Sequence, residues 1–452
     1  MTATAIPTDA GEHALRPASD VPPSPQRSGW KTTRRWIAAQ ADAILDLHGQ
    51  FGDIATVAFA GGRGGVITRS ADDVKKLFTA DPADVPVATA GSPIGPFVGE
   101  HSLLTLNGRR HLRQRRLLLP PFHGDRMRGY AADIQDIAGA VVDEWQAGTT
   151  IKLQPQMQAI TLEVILRIVF GVSDGARHDE LKAAIIKLLA LTENRWVMLP
   201  TFILATRAGR LFGPVAQVSK EVDRLIYREL DSRREAPDLE RRTDILSMLL
   251  TARDEDGEPM SQQELRDELV TLLFAGHETT ASQLSWTFER LVRHPEAMAA
   301  AVEAAKHGDP DGVIDATFQE ALRLRPVVPV TARMVQRPFE LSGYTIPAEK
   351  LVIVSILGLN RHPDRYERPE EFDPTRYAGG KMDTYTWIPF GGGVRRCIGA
   401  AFAMLEGREV LREVLRRTTL EAVHVPDERM KRRNVTMVPS EGALVNVIRV
   451  DR

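Results

Sequence analysis

Several groups of residues have types and spacings that can do chemistry. The first surrounds Cys397, the only cysteine among 452 residues. It stands in the stretch Phe390-Gly391-Gly392-Gly393-Val394-Arg395-Arg396-Cys397-Ile398-Gly399. A single thiol cannot close an internal disulfide or build a zinc site of several thiolates. Consecutive glycines let the backbone pass close to something flat or bulky. Beyond the cysteine, Phe402, Leu405, Val410, Leu411 and Val414 recur at helical spacing. The thiol therefore belongs at or just before a helix N-terminus, where the dipole and Arg395 and Arg396 are expected to lower its pKa. A nucleophilic cysteine would need a histidine base, and no feature of the sequence nominates one.

The second group is Ala275-Gly276-His277-Glu278-Thr279-Thr280. His277-Glu278 opens a zinc-protease motif, but the required second histidine is Ala281, so that reading fails. A glycine, an acid and two hydroxyls remain inside an apolar helix. Threonine can bond back to the carbonyl one turn earlier and open the helix. A carboxylate at core depth is costly unless paired. The residues alone leave two readings open, a satisfied polar kink and a proton-delivery point beside a reaction site. A third group, Glu320 and Arg323, is an i,i+3 pair, common on helix surfaces. A fourth, His111 and Arg115, lies on one face of the basic stretch "GRRHLRQRRLLLPPF".

These residues need rigid elements to hold them. Ser261 and Glu264 form a capping-box pattern that starts a long helix, and Pro295 is expected to close it. The middle of that helix, "LVTLLFAG", is apolar all round and reads as core. From Ala71 to Arg293 the pattern is mostly helical, including "ITLEVILRIVF". After Pro326, alternating β-branched residues and turns predict short strands. The run Gly61 to Gly65 fits neither the dinucleotide fingerprint nor the phosphate loop and reads as a hairpin turn. Residues 88–104 are broken by Gly and Pro and read as a long binding loop. The fold class is thus mainly α with a minor β part.

Lys and Arg number 58 against 60 Asp and Glu, a net charge of -2. That gives no global pull toward nucleic acid or an anionic membrane, though local patches must be judged separately. No apolar run approaches the roughly 18 residues of a membrane span. Residues 1–28 carry neither signal peptide nor anchor and read as a mobile arm; 29–452 read as one domain. A cytoplasmic monomer is expected, in a reducing compartment.

Phe390-x-x-Gly393-x-Arg395-x-Cys397-x-Gly399 resembles the haem-binding loop of the cytochrome P-450 family, the haem-thiolate monooxygenases, with the flanking "RRLLLPPFHGDRM" closest to bacterial, mycobacterial-type members. The resemblance implies that family's fold, with haem b between the long helix and the cysteine loop. Cys397 is then the axial iron ligand. Gly391 and the other loop glycines make room for the porphyrin, Phe390 packs near the sulfur, and Arg395 reaches a propionate. His111, Arg115 and Arg333 are implied as further propionate partners. "AGHETT" resembles the oxygen-activation segment, with Thr279 and Glu278 as its alcohol–acid pair and Ala275 and Gly276 passing over the haem. Glu320 and Arg323 resemble the buried Glu-x-x-Arg lock, joined by Arg376. His111 and Tyr377 depart from commoner Trp and Phe.

The implied reaction inserts one oxygen atom from O2 into a hydrophobic small molecule, by hydroxylation or epoxidation. Phe97, Val98, Leu272, Val327 and Val328 are expected to line the substrate pocket. The chain shows no flavin or iron–sulfur segment, so electrons are expected from a ferredoxin or flavodoxin with its NAD(P)H-dependent reductase. Arg109, Arg110, Arg113 and Arg116 form a candidate docking face, and Arg396 can face the donor. A peroxide-driven peroxygenase, a non-oxidative haem-thiolate enzyme and a haem-based sensor are the alternatives. The intact Thr279–Glu278 pair argues against the first two, and the lack of an output domain against the third.

Overall fold

The computed structural model describes residues 21–25, 29–62, 64–87, 95–193, 213–377, 383–423 and 426–451. Its longest element is the central helix Gln262–Leu291, 30 residues, or about 45 Å at about 1.5 Å per residue. Ser261 accepts from the Glu264 N–H, and the Glu264 side chain accepts from the Ser261 N–H, completing the expected capping box. The helix ends at Leu291, earlier than expected. Pro295 does not close it but opens the next helix, Pro295–His307. Proline at a first helical position gives up no hydrogen bond, so it starts a helix as readily as it stops one.

Three helices, Leu153–Val164, Val313–Leu324 and Ala400–Arg417, pack around the central helix, together with the strand Thr436–Pro439. Large apolar side chains drive this packing. Trp286 and Phe288 are fully buried, and the Trp286 indole N–H donates to the Met437 carbonyl at 2.9 Å. Helix Leu153–Val164 runs on into a π-helical turn, Ile165–Val169, where continuous α-helix was expected. Phe170 N–H closes that turn on the Ile165 carbonyl at 3.1 Å.

The β part gathers strands from distant parts of the chain. Ile54–Ala58, Gly64–Thr68, Leu351–Ser355 and Val330–Met334 lie side by side in that order. The first two form the antiparallel hairpin read from the glycine run. The second and third are parallel, and the last is antiparallel to its neighbour. A second sheet pairs Leu444–Val450 with Thr149–Lys152 and Thr418–Ala422.

Two expected irregular regions gain structure. Within 88–104, Gly95–Val98 is a helical turn against the central helix, while 88–94 lie outside the described residues. Of the expected arm 1–28, residues 21–25 are described, and they are tied down. Thr56 donates its N–H to the Pro23 carbonyl at 2.8 Å and its hydroxyl to the Pro22 carbonyl at 2.7 Å. Residues 1–20 and 26–28 lie outside the described residues. Among the described residues, no helix is long and apolar enough to cross a membrane.

Candidate active site

Cys397 sits on a loop whose shape its own backbone fixes. The Cys397 N–H donates to the Phe390 carbonyl at 2.9 Å, closing the loop, and Gly391 N–H donates to Ile388 at 2.9 Å. The Phe390 ring stacks edge-on to Trp387, centroids 6.0 Å apart. Gly399 caps the helix Ala400–Arg417. Two of the three consecutive glycines answer to a protein neighbour. A Cβ on Gly392 would collide with the Phe78 ring, and one on Gly393 (φ +61°) with the Phe78 carbonyl oxygen. The expectation that the whole run makes room for a porphyrin is therefore narrowed. Gly391 and Gly399 are the ones with open space at the Cβ position.

The Cys397 side chain is accessible and lines a cavity of about 190 Å³ with Arg115, Phe390, Arg396 and Met404. The expected pKa depression is not found. Surrounding protein mass pushes the thiol up, and the Gly399 N–H with Arg115 and Arg396 opposes this without cancelling it. Desolvation outweighs charge here, so the sulfur is not self-activated; a coordinated metal would deprotonate it outright. His123 lines the same cavity, but no hydrogen bond joins it to the thiol among the described residues. Among those residues, too, no cluster of three or more His, Cys, Asp or Glu could hold a metal ion. The protein offers one sulfur ligand.

Arg115 and Arg396 lie beside this sulfur, and Arg115 belongs to a cluster with His111, Arg395 and Arg333. Burial, then the charges of Arg395 and Arg115, lower His111 to about 4, so it is neutral. Burial lowers Arg395 to about 10, assisted by Arg333 and Arg115. Burial alone lowers Arg333 to about 10, and its guanidinium lies 5.4 Å over the Phe78 ring. Among the described residues no carboxylate pairs with Arg115, Arg333 or Arg395. A core that gathers cations without acids is arranged for an external anion. The dicarboxylate edge of a haem fits that demand, and the accessible Cys397 fits its iron. Arg395 also has a role that the sequence did not disclose. It donates to the carbonyls of Leu103 and Leu106 and, at 2.6 Å, to the Asn107 side chain, pinning the segment 103–107 to the cysteine loop.

The central helix passes the site at a notch. Leu269, Val270, Thr271 and Leu273 are buried as expected, but Ala275 is exposed, and Leu272, Gly276 and Thr279 are half-exposed. These four lie on one face, at i, i+3, i+4 and i+7. The Thr279 hydroxyl donates to the Ala275 carbonyl at 2.5 Å. Glu278, one step around the helix, turns toward Leu153–Val164 and the strand Met430–Arg433. It accepts from Gln158 at 3.1 Å, and its other oxygen is 3.4 Å from Arg433 Nε, without a directed hydrogen bond. Burial pushes Glu278 up to about 7, with Gln158 and Ser282 opposing. Thr279 and Glu278 thus face different neighbours. His277 is buried, its Nδ1 2.9 Å from the Thr161 hydroxyl, and burial lowers it to about 4, a structural histidine.

Glu320 and Arg323 are both fully buried and joined by bonds of 2.7 and 2.8 Å. Arg323 also donates to the carbonyls of Asn360, Pro369 and Glu371. Arg376 approaches Glu320 at 3.5 Å. This knot holds the 360–376 segment that leads toward the cysteine loop.

Other expectations change. Arg113 is bound to Asp254 at 2.5 Å and Glu264 at 2.8 Å, and Arg116 to Glu255. Arg113 holds the segment before the central helix, whereas Arg116 makes only a surface pair and stays exposed. Arg109, Arg110, Arg116 and Arg396 remain exposed. Phe97 and Val98 are buried, and the Phe97 ring meets Phe274 at 5.8 Å. Leu272 and Val328 are half-buried. Val327 is buried, its carbonyl accepting from Met437 N–H at 2.8 Å. Sequence reasoning missed two buried acids. Glu268 lies on the notch face, three turns before Thr279, and burial pushes it up to about 8. Glu406, on the cysteine helix, meets Thr280 and is likewise pushed up to about 8 by burial. A charged residue in a helix ordinarily marks a solvent face, so neither gave a signal.

A family model described as "Cytochrome P450" matches residues 31–447. The chain is 39% identical over 432 residues to putative cytochrome P450 135B1 of Mycobacterium tuberculosis, covering 94% of this chain and 91% of that protein. It is 35% identical to putative cytochrome P450 135A1 of the same species, covering 95% of each. Among solved structures, the cytochrome P450DA heme domain superposes with a TM-score of 0.82 at 25% identity, over 97% of this chain and 98% of that one. A retinoic acid-bound cyanobacterial CYP120A1 shares the fold with a TM-score of 0.79 at 22% identity, over 94% and 99%.

Proposed function

The chain belongs to the cytochrome P450 family and is a haem-thiolate monooxygenase, and from that premise we propose that it oxygenates a hydrophobic small molecule with electrons delivered by a separate carrier protein. Haem b is its cofactor and O2 its oxidant. When bound, the haem supplies the oxygen chemistry, and the protein supplies position, protons and the thiolate. In this reading Cys397 ligates the iron, and the Gly399 N–H turns toward its sulfur. Arg115, Arg333 and Arg395, with neutral His111, receive the propionates. The observation that carries the reading is a cluster of cations, Arg115, Arg333 and Arg395, unbalanced by any carboxylate among the described residues, whose member Arg115 stands beside the accessible thiol.

Thr279 and Glu278 divide the proton work. With its hydrogen given to Ala275, the Thr279 oxygen is left with lone pairs that hold a water in the notch. Glu278, pushed up to about 7 by burial, exchanges between its protonated and ionised forms at about pH 7 and so can both give and take a proton. Its neighbours Gln158 and Arg433 lead outward from the helix. Phe97, Val98, Leu272, Val327 and Val328 form an apolar lining suited to a terpenoid, steroid, fatty acid or polyketide-like substrate. Arg109, Arg110, Arg116 and Arg396 receive an acidic ferredoxin or flavodoxin, with Arg113 engaged by Asp254 and Glu264.

The deciding experiment is the absorption spectrum of the reduced, carbon-monoxide-bound protein. A thiolate-type Soret band is expected in the wild type and its loss in Cys397→Ala. A wild-type protein that takes up no haem refutes the reading. For the carrier, reversing charge at Arg109 and Arg110 slows reduction and flattens its salt dependence, while an unchanged rate removes that face.

A further inference from the structure

A net charge of -2 conceals one short helix whose charged side chains are all basic. The helix Gly29–Ala38, sequence GWKTTRRWIA, holds Lys31, Arg34 and Arg35 and no acid. Its inner face is fixed to the body of the protein. Trp36 meets Phe59 edge-on at 5.3 Å, and the Thr33 hydroxyl accepts from Ala60 N–H at 2.8 Å. Its outer face carries Trp30, 76% exposed, and Ile37, 61% exposed, with Arg34 between them. Positions 30, 34 and 37 are one stripe at i, i+4 and i+7. Arg35 is spent on Asp46 of the next helix, whose acid it neutralises. Just upstream, Val21 is 76% exposed on the segment pinned to Thr56.

Other exposed large apolar side chains, such as Ile186, Val394 and Ile448, stand singly on separate elements. Scattered single residues of that kind need no explanation. Two on one ten-residue helix, interleaved with cations, are a different composition. Indole and aliphatic groups beside Arg and Lys on a helix lying flat against its protein are what seats a helix in the headgroup layer of an anionic bilayer. The cations select the surface and the apolar pair enters it.

We propose that the outer face of Gly29–Ala38 docks the protein on an anionic lipid surface through Trp30, Ile37 and Arg34. The contact is peripheral, in keeping with a described chain that has no helix able to span a bilayer. It does not depend on the substrate class proposed above.

The test is co-sedimentation of the haem-loaded full chain with vesicles of phosphatidylcholine mixed with phosphatidylglycerol, against vesicles of phosphatidylcholine alone. Wild type is expected to partition onto the mixed vesicles at low salt and to be released by salt. Arg34→Gln should weaken binding about fivefold, the factor one Lys or Arg near an anionic surface carries. Trp30→Ser with Ile37→Ser should weaken it about tenfold or more. The carbon-monoxide spectrum and elution volume of each variant must match wild type, so that misfolding is separated from lost docking. Failure of wild type to bind mixed vesicles overturns the proposal, as does binding unchanged in the variants. Binding lost only on deletion of residues 1–20 assigns it to that segment instead. A change in oligomer size without a change in vesicle binding assigns the face to a second copy of the chain.

Discussion

Replacing Glu406 by glutamine should make the protein more stable, and only in alkali. Glu406 lies on the cysteine helix with 3% of its surface exposed. Its carboxyl meets Thr280 of the central helix, and Oε1 has no hydrogen-bond partner among the described residues. Burial holds its pKa at about 8, against 4.5 for an unperturbed glutamate. Between those values the folded protein keeps a proton that the unfolded chain has released. Stability therefore falls as pH rises through the interval, and the loss is complete above about 8. At about 1.4 kcal/mol per pH unit, the interval amounts to about 5 kcal/mol.

Glutamine keeps the shape and the Thr280 contact but cannot ionise. An unfolding entropy of about 2 cal/mol/K per residue over a chain this long converts the figure to a midpoint shift of about 5 °C. Thermal unfolding of the haem-loaded wild type and Glu406→Gln, followed by circular dichroism and the Soret band, should give matching midpoints near about pH 5 and a gap of about 5 °C by about pH 9. Only the difference between the two proteins is informative, because Glu268 and Glu278 are also raised by burial and also shape the wild-type curve. A gap that is constant with pH, or a variant less stable throughout, refutes the reasoning.

Three further outcomes are expected. Turnover should fall as pH rises through about 7, where Glu278 loses the proton that burial lets it keep, and Glu278→Gln should be at least about tenfold slower with that limb of the profile absent; an unaltered profile removes Glu278 from the proton path. Arg323→Ala strands a fully buried Glu320 carboxylate and should cost about 3–5 kcal/mol in unfolding experiments, a loss under about 1 kcal/mol being incompatible with the buried knot. Gly392→Ala drives a methyl into the Phe78 ring and should lower haem content and stability, with Phe78→Ala restoring much of the loss in the double variant; additive losses would mean that Phe78 is not the obstacle.

Much of the site was legible because single residues carried it. Cys397 was conspicuous by count, Ser261 and Glu264 by spacing, and Glu320 with Arg323 by their place on one helix face. What escaped depends on partners far away along the chain. Arg113 looks like part of a free basic stripe until Asp254 and Glu264 arrive from beyond residue 250. Gly392 looks like space for a cofactor until Phe78, from the other end of the chain, occupies that space. The thiol pKa went the wrong way because nearby charge can be read locally, whereas desolvation is a property of the whole surrounding mass.

Several of the local rules that this fold breaks are broken at the site residues and the helices that carry them. Ala275 is exposed in the middle of a core helix. Arg115, Arg333 and Arg395 are drawn close with no carboxylate to balance them among the described residues. Glu268 and Glu406 are buried, and Glu278 half-buried, where hydrocarbon would be cheaper. Elsewhere the same chain obeys the rules closely, from the capping box at Ser261 to the buried ion pair of Arg233 with Asp244. Departures from local physics gathered near a candidate site are expected where structure yields to function. The departures also differ in kind. The cations need an anion, the notch needs a flat apolar body, and the thiol needs a metal to become a thiolate. A haem meets all three demands at once, whereas a nucleophilic cysteine would answer none of the first two.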